Sequence, residues 1–284
     1  MSATQSHNVT DVEVLAIGAG FTGIGLGIKL TRQGFHDFVI LERESDVGGT
    51  WRDNTYPGVA CDVPAHLYSF SFKLNPNWSK IQAPGREIWD YLRDCVTDEG
   101  FWDNIRLNTD VTRATWNEDS KRWLVETTNG TWSAKFLVTA CGHLSDTRTP
   151  EIDGLDTFPG DIFHTARWNH DVSLEGKRIA LVGTGASAVQ VFPELQAIAE
   201  SVVLFQRSAP YFFIPSGKHQ AFTDAQRRLF ARYPQAMRDI RSEIFWYSEG
   251  NFPPRVQVPK LLEKARNASL KYLQESIADP ELRA

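Results

Sequence analysis

The chain has few cysteines, little net charge and no long apolar run. Only three of its 284 residues are cysteines, at positions 61, 95 and 141, and no CxxC pair is present. This argues against a disulfide framework or a redox dithiol and indicates a reduced, cytoplasmic protein. The formal net charge of -5 gives no support for nucleic-acid binding. No apolar run reaches the length of a membrane span, and the N-terminus lacks the features of a signal peptide.

A glycine-rich turn is present near the N-terminus. Residues 12–17, VEVLAI, predict a short buried strand, and GAGFTG follows directly with Gly18, Gly20 and Gly23 in the GxGxxG spacing. A helix is predicted from there to a stop at Gly34. In a dinucleotide site the first glycine allows a sharp turn, the second allows close approach of a pyrophosphate, and the third allows the helix to pack on the strand.

An acidic residue ends the next predicted strand, DFVILE. Glu42 lies 24 residues after Gly18, where a carboxylate can accept hydrogen bonds from both hydroxyls of an adenosine ribose. An acid here disfavours a 2′-phosphate, so NAD or FAD is preferred over NADP. The glycine pair of GGTW at 48–51 is typical of flavoproteins and favours FAD, whose predicted site adds Gly49, Thr50 and Trp51. The alternative is a glycine-rich turn that holds no ligand.

A second unit of the same kind begins at RIALV, 178–182. GTGASA follows, with Gly183 and Gly185 at the first two glycine positions and Ser187 before a small third residue, Ala188. The next predicted strand ends at Arg207, again 24 residues after the first glycine. Arg207 and Ser208 suit a 2′-phosphate, although a solvated arginine at a strand end has the same sequence signature. We therefore expect FAD at the first site and NADPH at the second, with hydride passing from NADPH to the flavin.

The segment between the two units carries a recognisable pattern. Phe158, Gly160, His164 and Trp168 resemble the fingerprint of Baeyer–Villiger monooxygenases, within the class B flavoprotein monooxygenases. The family pattern usually closes with Pro or Asp, whereas this chain has Asn169. Four further segments resemble family segments in their expected order: GGTWRDNTYPGVACDVPAHLYSFSF, APGREIWDYL, GHLSDTRTPEIDGLDTFPG and FQRSAPYFFIP.

The resemblance implies an FAD- and NADPH-dependent monooxygenase. Such an enzyme inserts one oxygen atom of O₂ beside a ketone carbonyl, through a flavin C4a-peroxide, and gives an ester or lactone. Two alternatives stay open: oxygenation of nitrogen or sulfur by the same chemistry, and a catalytically incomplete FAD/NADPH-binding fragment. A disulfide reductase is disfavoured because CxxC is missing. The expected partners are O₂ and a small apolar ketone, and the chain is expected to act as a monomer.

The resemblance also assigns roles to individual residues. Asp62 matches the family's active-site aspartate, which also contacts the flavin, and its arginine partner matches no residue of this chain. Tyr68 falls on the flavin side, and Val111 matches a backbone contact to the adenine. His164 and Trp168 would couple cofactor binding to domain rearrangement. Plainer alternatives are a turn-capping aspartate at 62 and a linker that only docks the two domains.

The expected fold class is α/β, with two Rossmann-like dinucleotide-binding domains, for FAD and NADPH, a helical insertion and an incomplete C-terminus. The FAD domain is placed at 10–150, the linker at 151–175, the start of the NADPH domain at 176–210 and the insertion at 211–284. Within the insertion, Thr223 and Gln226 resemble a capping box, Pro234 should split a helix, and another helix should begin at Pro259. Its expected apolar stripe comprises Leu229, Tyr233, Met237, Ile240 and Ile244.

Overall fold

A computed structural model describes residues 9–208, 220–250, 252, 256 and 258–279. The chain divides into two compact units. One comprises Met1–Val59 and Gly85–Ser173, and the other comprises Ala60–Pro84 and Leu174–Ala284. Both combine strands with helices, which confirms the α/β class. No helix among the described residues is both long and apolar enough to cross a membrane.

The first unit is built on a six-stranded sheet with the order β3-β2-β1-β6-β5-β4. Its strands are β1 Val9–Ile17, β2 Phe38–Leu41, β3 Ile105–Arg106, β4 Val111–Asn117, β5 Arg122–Thr127 and β6 Gly130–Thr139. Its helices are α1 Phe21–Arg32, α2 Thr50–Asp53 and α3 Gly85–Glu99, with short 3₁₀ turns at Trp102–Asn104, Leu155–Thr157 and Thr165–Arg167.

The central strand β1 runs parallel to both of its neighbours. Its last residue, Ile17, pairs with Leu41 of β2 and with Thr139 of β6. The carboxyl ends of the three strands therefore lie at one edge of the sheet. Strand β2 lies on one side of β1 and strand β6 on the other, so the strand order changes direction at β1. Open α/β sheets bind ligands at such a switch point.

Helices α1 and α3 pack through apolar faces that follow the helical period. In α1 the buried apolar residues are Ile24 and Ile28, one turn apart, and in α3 they include Ile88, Leu92 and Val96. The predicted stop of α1 is confirmed, because the helix ends at Arg32 just before Gly34. This packing holds the N-terminus of α1 close to the carboxyl end of β1.

The second unit contains a smaller β-α-β element. Strands β7 Arg178–Val182 and β8 Ser201–Phe205 pair in parallel, and α4 Ala186–Ile198 connects them. Among the residues that the structure describes, three further helices follow: α5 Asp224–Arg232, α6 Pro234–Gly250 and α7 Pro259–Ser276. The strand, turn and helix predicted at 178–200 are confirmed, as is the helix start at Pro259.

The helical part confirms the predicted start and break but only part of the apolar stripe. Thr223 and Gln226 form a capping box, and Pro234 begins a new helix after α5 ends. Met237 is buried, but Leu229 and Tyr233 are 47% and 54% exposed, and Phe230 is buried instead. The stripe holds on α6, where Met237 is buried and Ile240 and Ile244 are half-buried. It was wrong for Leu229 and Tyr233, because Pro234 interrupts the helix and the two halves do not share one rotational phase. The aromatic run 245–247 is exposed as well.

The segment 60–84 of this unit is irregular but well hydrogen-bonded. The backbone N–H of Cys61 donates to the carbonyl of Ala83 at 3.0 Å, and that of Ala65 donates to Ile81 at 2.7 Å. The N–H of Phe222 donates to Ser79 at 2.8 Å. The first two bonds join residues within the segment, and the third ties it to the residues just before α5.

Candidate functional site

The first glycine turn joins the ends of three strands to the start of α1. Gly18 has φ +102°, and its N–H donates to the carbonyl of Leu41 at 2.7 Å. A Cβ at Gly18 would lie 2.7 Å from the carbonyl oxygen of Ala140, and one at Gly23 would lie 2.0 Å from that of Gly18. Both positions therefore require glycine, and the turn brings the N-terminus of α1 to the edge of the sheet.

Glu42 is buried beside this turn. One carboxylate oxygen, Oε2, accepts the N–H of Ala19 at 2.7 Å, and the other, Oε1, accepts that of Glu44 at 3.1 Å. The side chain is 6% exposed, which is low for a glutamate and is made tolerable by these two charge-assisted bonds. The structure thus places the acid next to the glycine loop, as the sequence spacing predicts.

The GGTW segment packs on the same turn. The N–H of Gly48 donates to the carbonyl of Ala19 at 2.9 Å, and Gly49 precedes the first residue of α2. Thr50 is exposed at the start of that helix, whereas Trp51 is buried. The predicted members 18–23, 42 and 49–51 are therefore brought together in one unit.

Val111 lies at an irregular point of the sheet. It opens β4 opposite Thr127, and the pairing register shifts between Val111 and Arg113. Its side chain packs against the core of the sheet, so its backbone rather than its side chain is left for a ligand contact. Such bulges redirect the backbone locally.

The fingerprint residues His164 and Trp168 interact mainly with their own segment. The Nδ1 atom of His164 accepts the N–H of Ala166 at 3.1 Å and so caps a 3₁₀ turn. The ring of Trp168 stands edge-on to Phe163, with centroids 5.0 Å apart. His164 is exposed and Trp168 is half-buried. The two residues therefore shape the loop itself.

Neighbouring residues fasten this loop to the rest of the first unit. Arg167 donates to Glu44 at 3.4 Å and lies 3.8 Å from Asp53, and Nε2 of His170 lies 2.8 Å from the hydroxyl of Thr55. Burial raises the pKa of Asp53, against the lowering effect of Arg52 and Arg167. Sequence reasoning missed these contacts, although an arginine inside the fingerprint and the acidic ERESD stretch offered a signal.

The second glycine turn repeats the backbone of the first. Gly183 has φ +107°, and its N–H donates to Phe205 at 2.9 Å, as Gly18 does to Leu41. Gly185 precedes α4, Ser187 is half-buried in its first turn, and Ala188 is buried as the small third residue should be.

The two units differ by one residue in the distance from the last paired strand residue to the charged residue that follows it. Leu41 pairs with the residue before Gly18, and Phe205 pairs with the residue before Gly183. Glu42 therefore comes one residue after the paired position, whereas Arg207 comes two residues after it. Gln206 occupies the place that corresponds to Glu42. Equal spacing in sequence does not give equal positions, and Arg207 and Ser208 lie exposed just beyond β8.

Asp62 and Tyr68 belong to the second unit, in the segment 60–84. Asp62 is exposed and Tyr68 is half-buried. Cys61, beside Asp62, is buried, and this burial raises the pKa of its thiol to about 12. Burial and a raised pKa both keep this thiol protonated, which disfavours a nucleophilic role for Cys61 in the folded chain.

The second unit also has a cleft of about 310 Å³, and Cys61, Asp62 and Tyr68 are not among the residues that line it. It is lined by Ser71, Phe72, Leu74, Pro76, Phe230, Ala231, Pro234, Met237 and Arg238. None of the predicted cofactor-binding residues lines this cleft, so it belongs to neither of the two predicted dinucleotide sites.

The two glycine turns have one backbone form, and each lies between a strand and a helix. The family model described as pyridine nucleotide-disulphide oxidoreductase matches residues 15–217, which include both turns. The chain belongs to this family. The disulphide chemistry in the family's description has no CxxC pair to support it in this chain.

The chain is similar to relatives and solved structures that include proteins named as monooxygenases. A Baeyer–Villiger monooxygenase of Streptomyces coelicolor is 42% identical over 96% of this chain and 52% of its own length. An oxidised steroid monooxygenase bound to NADP is 40% identical, with a TM-score of 0.70 over 80% of this chain and 44% of that one. The OTEMO complex with FAD and NADP is 31% identical, with a TM-score of 0.70 over 78% and 44%. The chain spans about half the length of the curated relatives it matches.

Proposed function

We propose that this chain forms part of an FAD- and NADPH-dependent monooxygenase that inserts one oxygen atom beside a ketone carbonyl. The observation that carries the proposal is the pair of matching glycine turns, one followed by a buried acid and the other by exposed Arg207 and Ser208. Two dinucleotide sites of opposite charge preference suit a flavin and a 2′-phosphorylated nicotinamide cofactor. The similarity to Baeyer–Villiger and steroid monooxygenases supplies the reaction class.

The residues of the first turn fit FAD. Glu42 would accept the hydroxyls of the adenosine ribose, and the N-terminus of α1 would face the pyrophosphate. A Cβ placed at Gly20 would meet only Gly49 within 4 Å, at 3.8 Å, so the turn leaves room for a ligand to approach the backbone. Thr50, Trp51 and the backbone of Val111 complete the set on this unit.

The residues of the second turn fit NADPH. Gly183, Gly185 and Ser187 would hold the pyrophosphate at the N-terminus of α4. Arg207 and Ser208 would bind the 2′-phosphate, and the extra residue after β8 is offset by the length of the arginine side chain. Arginine suits this task because its planar donors match phosphate oxygens.

When bound, FAD reduced by NADPH supplies the oxygen-activating chemistry. The contribution of the chain is to bind, orient and exclude water. Asp62 would hold negative charge near the reacting centre, and Tyr68 would line the flavin side. His164 and Trp168 would set the shape of the loop at 158–168, which Arg167 and His170 fasten beside α2.

The test is turnover under ¹⁸O₂ with NADPH, FAD and a simple cyclic or aryl ketone, followed by mass analysis of the product. The proposal predicts an ester or lactone that carries one labelled oxygen. Oxidation of an added sulfide with no ester from the ketone would instead support heteroatom oxygenation. Oxidation of NADPH with release of hydrogen peroxide alone would indicate a catalytically incomplete chain.

A further inference from the structure

The loop that carries Asp62 and Tyr68 is fastened by one side chain from α6. The guanidinium Nη1 of Arg241 lies 2.9 Å from the carbonyl oxygen of His66, 2.8 Å from that of Leu67 and 3.1 Å from that of Ser69. Three carbonyls of a four-residue stretch thus converge on one partly buried cation. The guanidinium only donates, and the two N–H groups of Nη1 are shared among the three carbonyl oxygens.

Two further contacts restrict the same loop. At its start, the amide of Gln190 on α4 donates to the carbonyl of Ala60 at 2.8 Å and accepts its N–H at 3.4 Å. Further along, the buried ring of His66 packs against Phe222 and Phe230, with centroids 5.2 and 4.8 Å away. The loop is therefore held at both ends by side chains from helices of the second unit.

We propose that Arg241 is a positioning residue, which sets the backbone course of residues 61–69 and thereby the placement of Asp62 and Tyr68. The link to catalysis rests on the proposed function, but the link to the loop does not. Arg241 touches backbone carbonyls at 66, 67 and 69, and these flank Tyr68 directly. Without the guanidinium, the three carbonyls lose a shared donor, and the N–H bonds of Leu67 and Tyr68 to the carbonyl of Pro64, both at 2.9 Å, are left to restrict the turn.

Cys61 gives a direct report on the loop that does not depend on any cofactor. Its thiol is buried beside Asp62, whereas Cys95 is buried in the first unit and serves as an internal reference. The exposed Cys141 is removed by Cys141→Ser. Opening of the loop would expose the Cys61 thiol and speed its alkylation by iodoacetamide, which peptide mass analysis measures separately for each cysteine.

We expect Arg241→Ala to raise the alkylation rate of Cys61 at least tenfold and to leave that of Cys95 unchanged. Arg241→Lys should give an intermediate rate, because an ammonium lacks the planar donor set. The matched control is Arg232→Ala on α5, whose guanidinium lies over the ring of Tyr233, and it should match the parent. An unchanged Cys61 rate in Arg241→Ala, or equal acceleration of both cysteines, would overturn the proposal.

A second readout addresses the reaction. With NADPH, FAD and ketone, Arg241→Ala should release at least threefold more hydrogen peroxide per NADPH oxidised, with an unchanged KM for NADPH. An unchanged peroxide yield would overturn the catalytic part. If the parent chain does not oxidise NADPH at all, the proposed function fails for this chain, and the alkylation rates still decide whether Arg241 positions the loop.

Discussion

Replacing Glu42 by glutamine is the perturbation whose outcome the structure defines best. The carboxylate accepts two backbone N–H groups, from Ala19 at 2.7 Å and from Glu44 at 3.1 Å, and it is almost completely buried. Glutamine keeps one acceptor oxygen but turns an NH₂ group toward the other N–H. One charge-assisted bond is therefore lost and one buried donor faces another.

The expected size follows from these contacts. A hydrogen bond to a charged group contributes about 1.5–3 kcal/mol, so Glu42→Gln should lower the free energy of unfolding by about that amount. For a domain of 150–250 residues this corresponds to a fall of roughly 3–12 °C in Tm. The assay is urea unfolding followed by tryptophan fluorescence, without added FAD.

A matched control separates this effect from the loss of any surface charge. Glu13 lies in the same unit, and its partly exposed carboxylate pairs with Lys135 at 2.8 Å. Glu13→Gln should cost at most about 1 kcal/mol, because exposed ion pairs contribute little. Equal effects of the two substitutions would refute the claim that the Glu42 carboxylate stabilises the glycine turn.

Three further predictions follow from the same geometry. Gly18→Ala should lower the free energy of unfolding of the first unit by about 1–3 kcal/mol more than Gly34→Ala. Both glycines have positive φ, but only a Cβ at Gly18 would clash with a neighbouring atom. Equal effects of the two substitutions in urea unfolding would contradict this. Arg207→Ala should reduce the preference for NADPH over NADH at least tenfold in binding titrations, and an unchanged ratio would remove Arg207 from the site. Burial lowers the pKa of His66 below its usual value of about 6.5. The contribution of this residue to stability is therefore complete above about pH 6.5 and is lost as pH falls through the lower folded-state pKa. Replacement by phenylalanine should therefore flatten the decline in unfolding free energy between pH 7 and pH 5, and an equally steep decline would show that other groups cause it.

The glycine turns could be predicted because their signal is local. Each depends on a strand, a short glycine spacing and a helix that follow one another in sequence, and so Gly18, Glu42 and Gly183 lie where the pattern indicates. Period and spacing identify such elements well. The exact position of Arg207 could not be obtained in this way, because a residue count does not reveal which residues pair between strands.

Long-range contacts account for the rest of what the sequence did not reveal. Arg241 reaches carbonyls more than 170 residues away in the chain, and no local pattern distinguishes it from the other arginines of the helices. Likewise, the break at Pro234 separates α5 from α6, and α5 turns Phe230 rather than Leu229 toward the core. Such features follow from tertiary packing, and only the fold specifies them.

The central claim is that the first glycine turn binds FAD, and an equilibrium titration of the purified chain with FAD tests it most directly. Quenching of flavin fluorescence should show one FAD bound per chain. Glu42→Gln and Gly18→Ala should each weaken binding at least tenfold, and Arg207→Ala should leave it unchanged. A folded chain that binds no FAD, or binds it equally well in all four forms, would contradict the account.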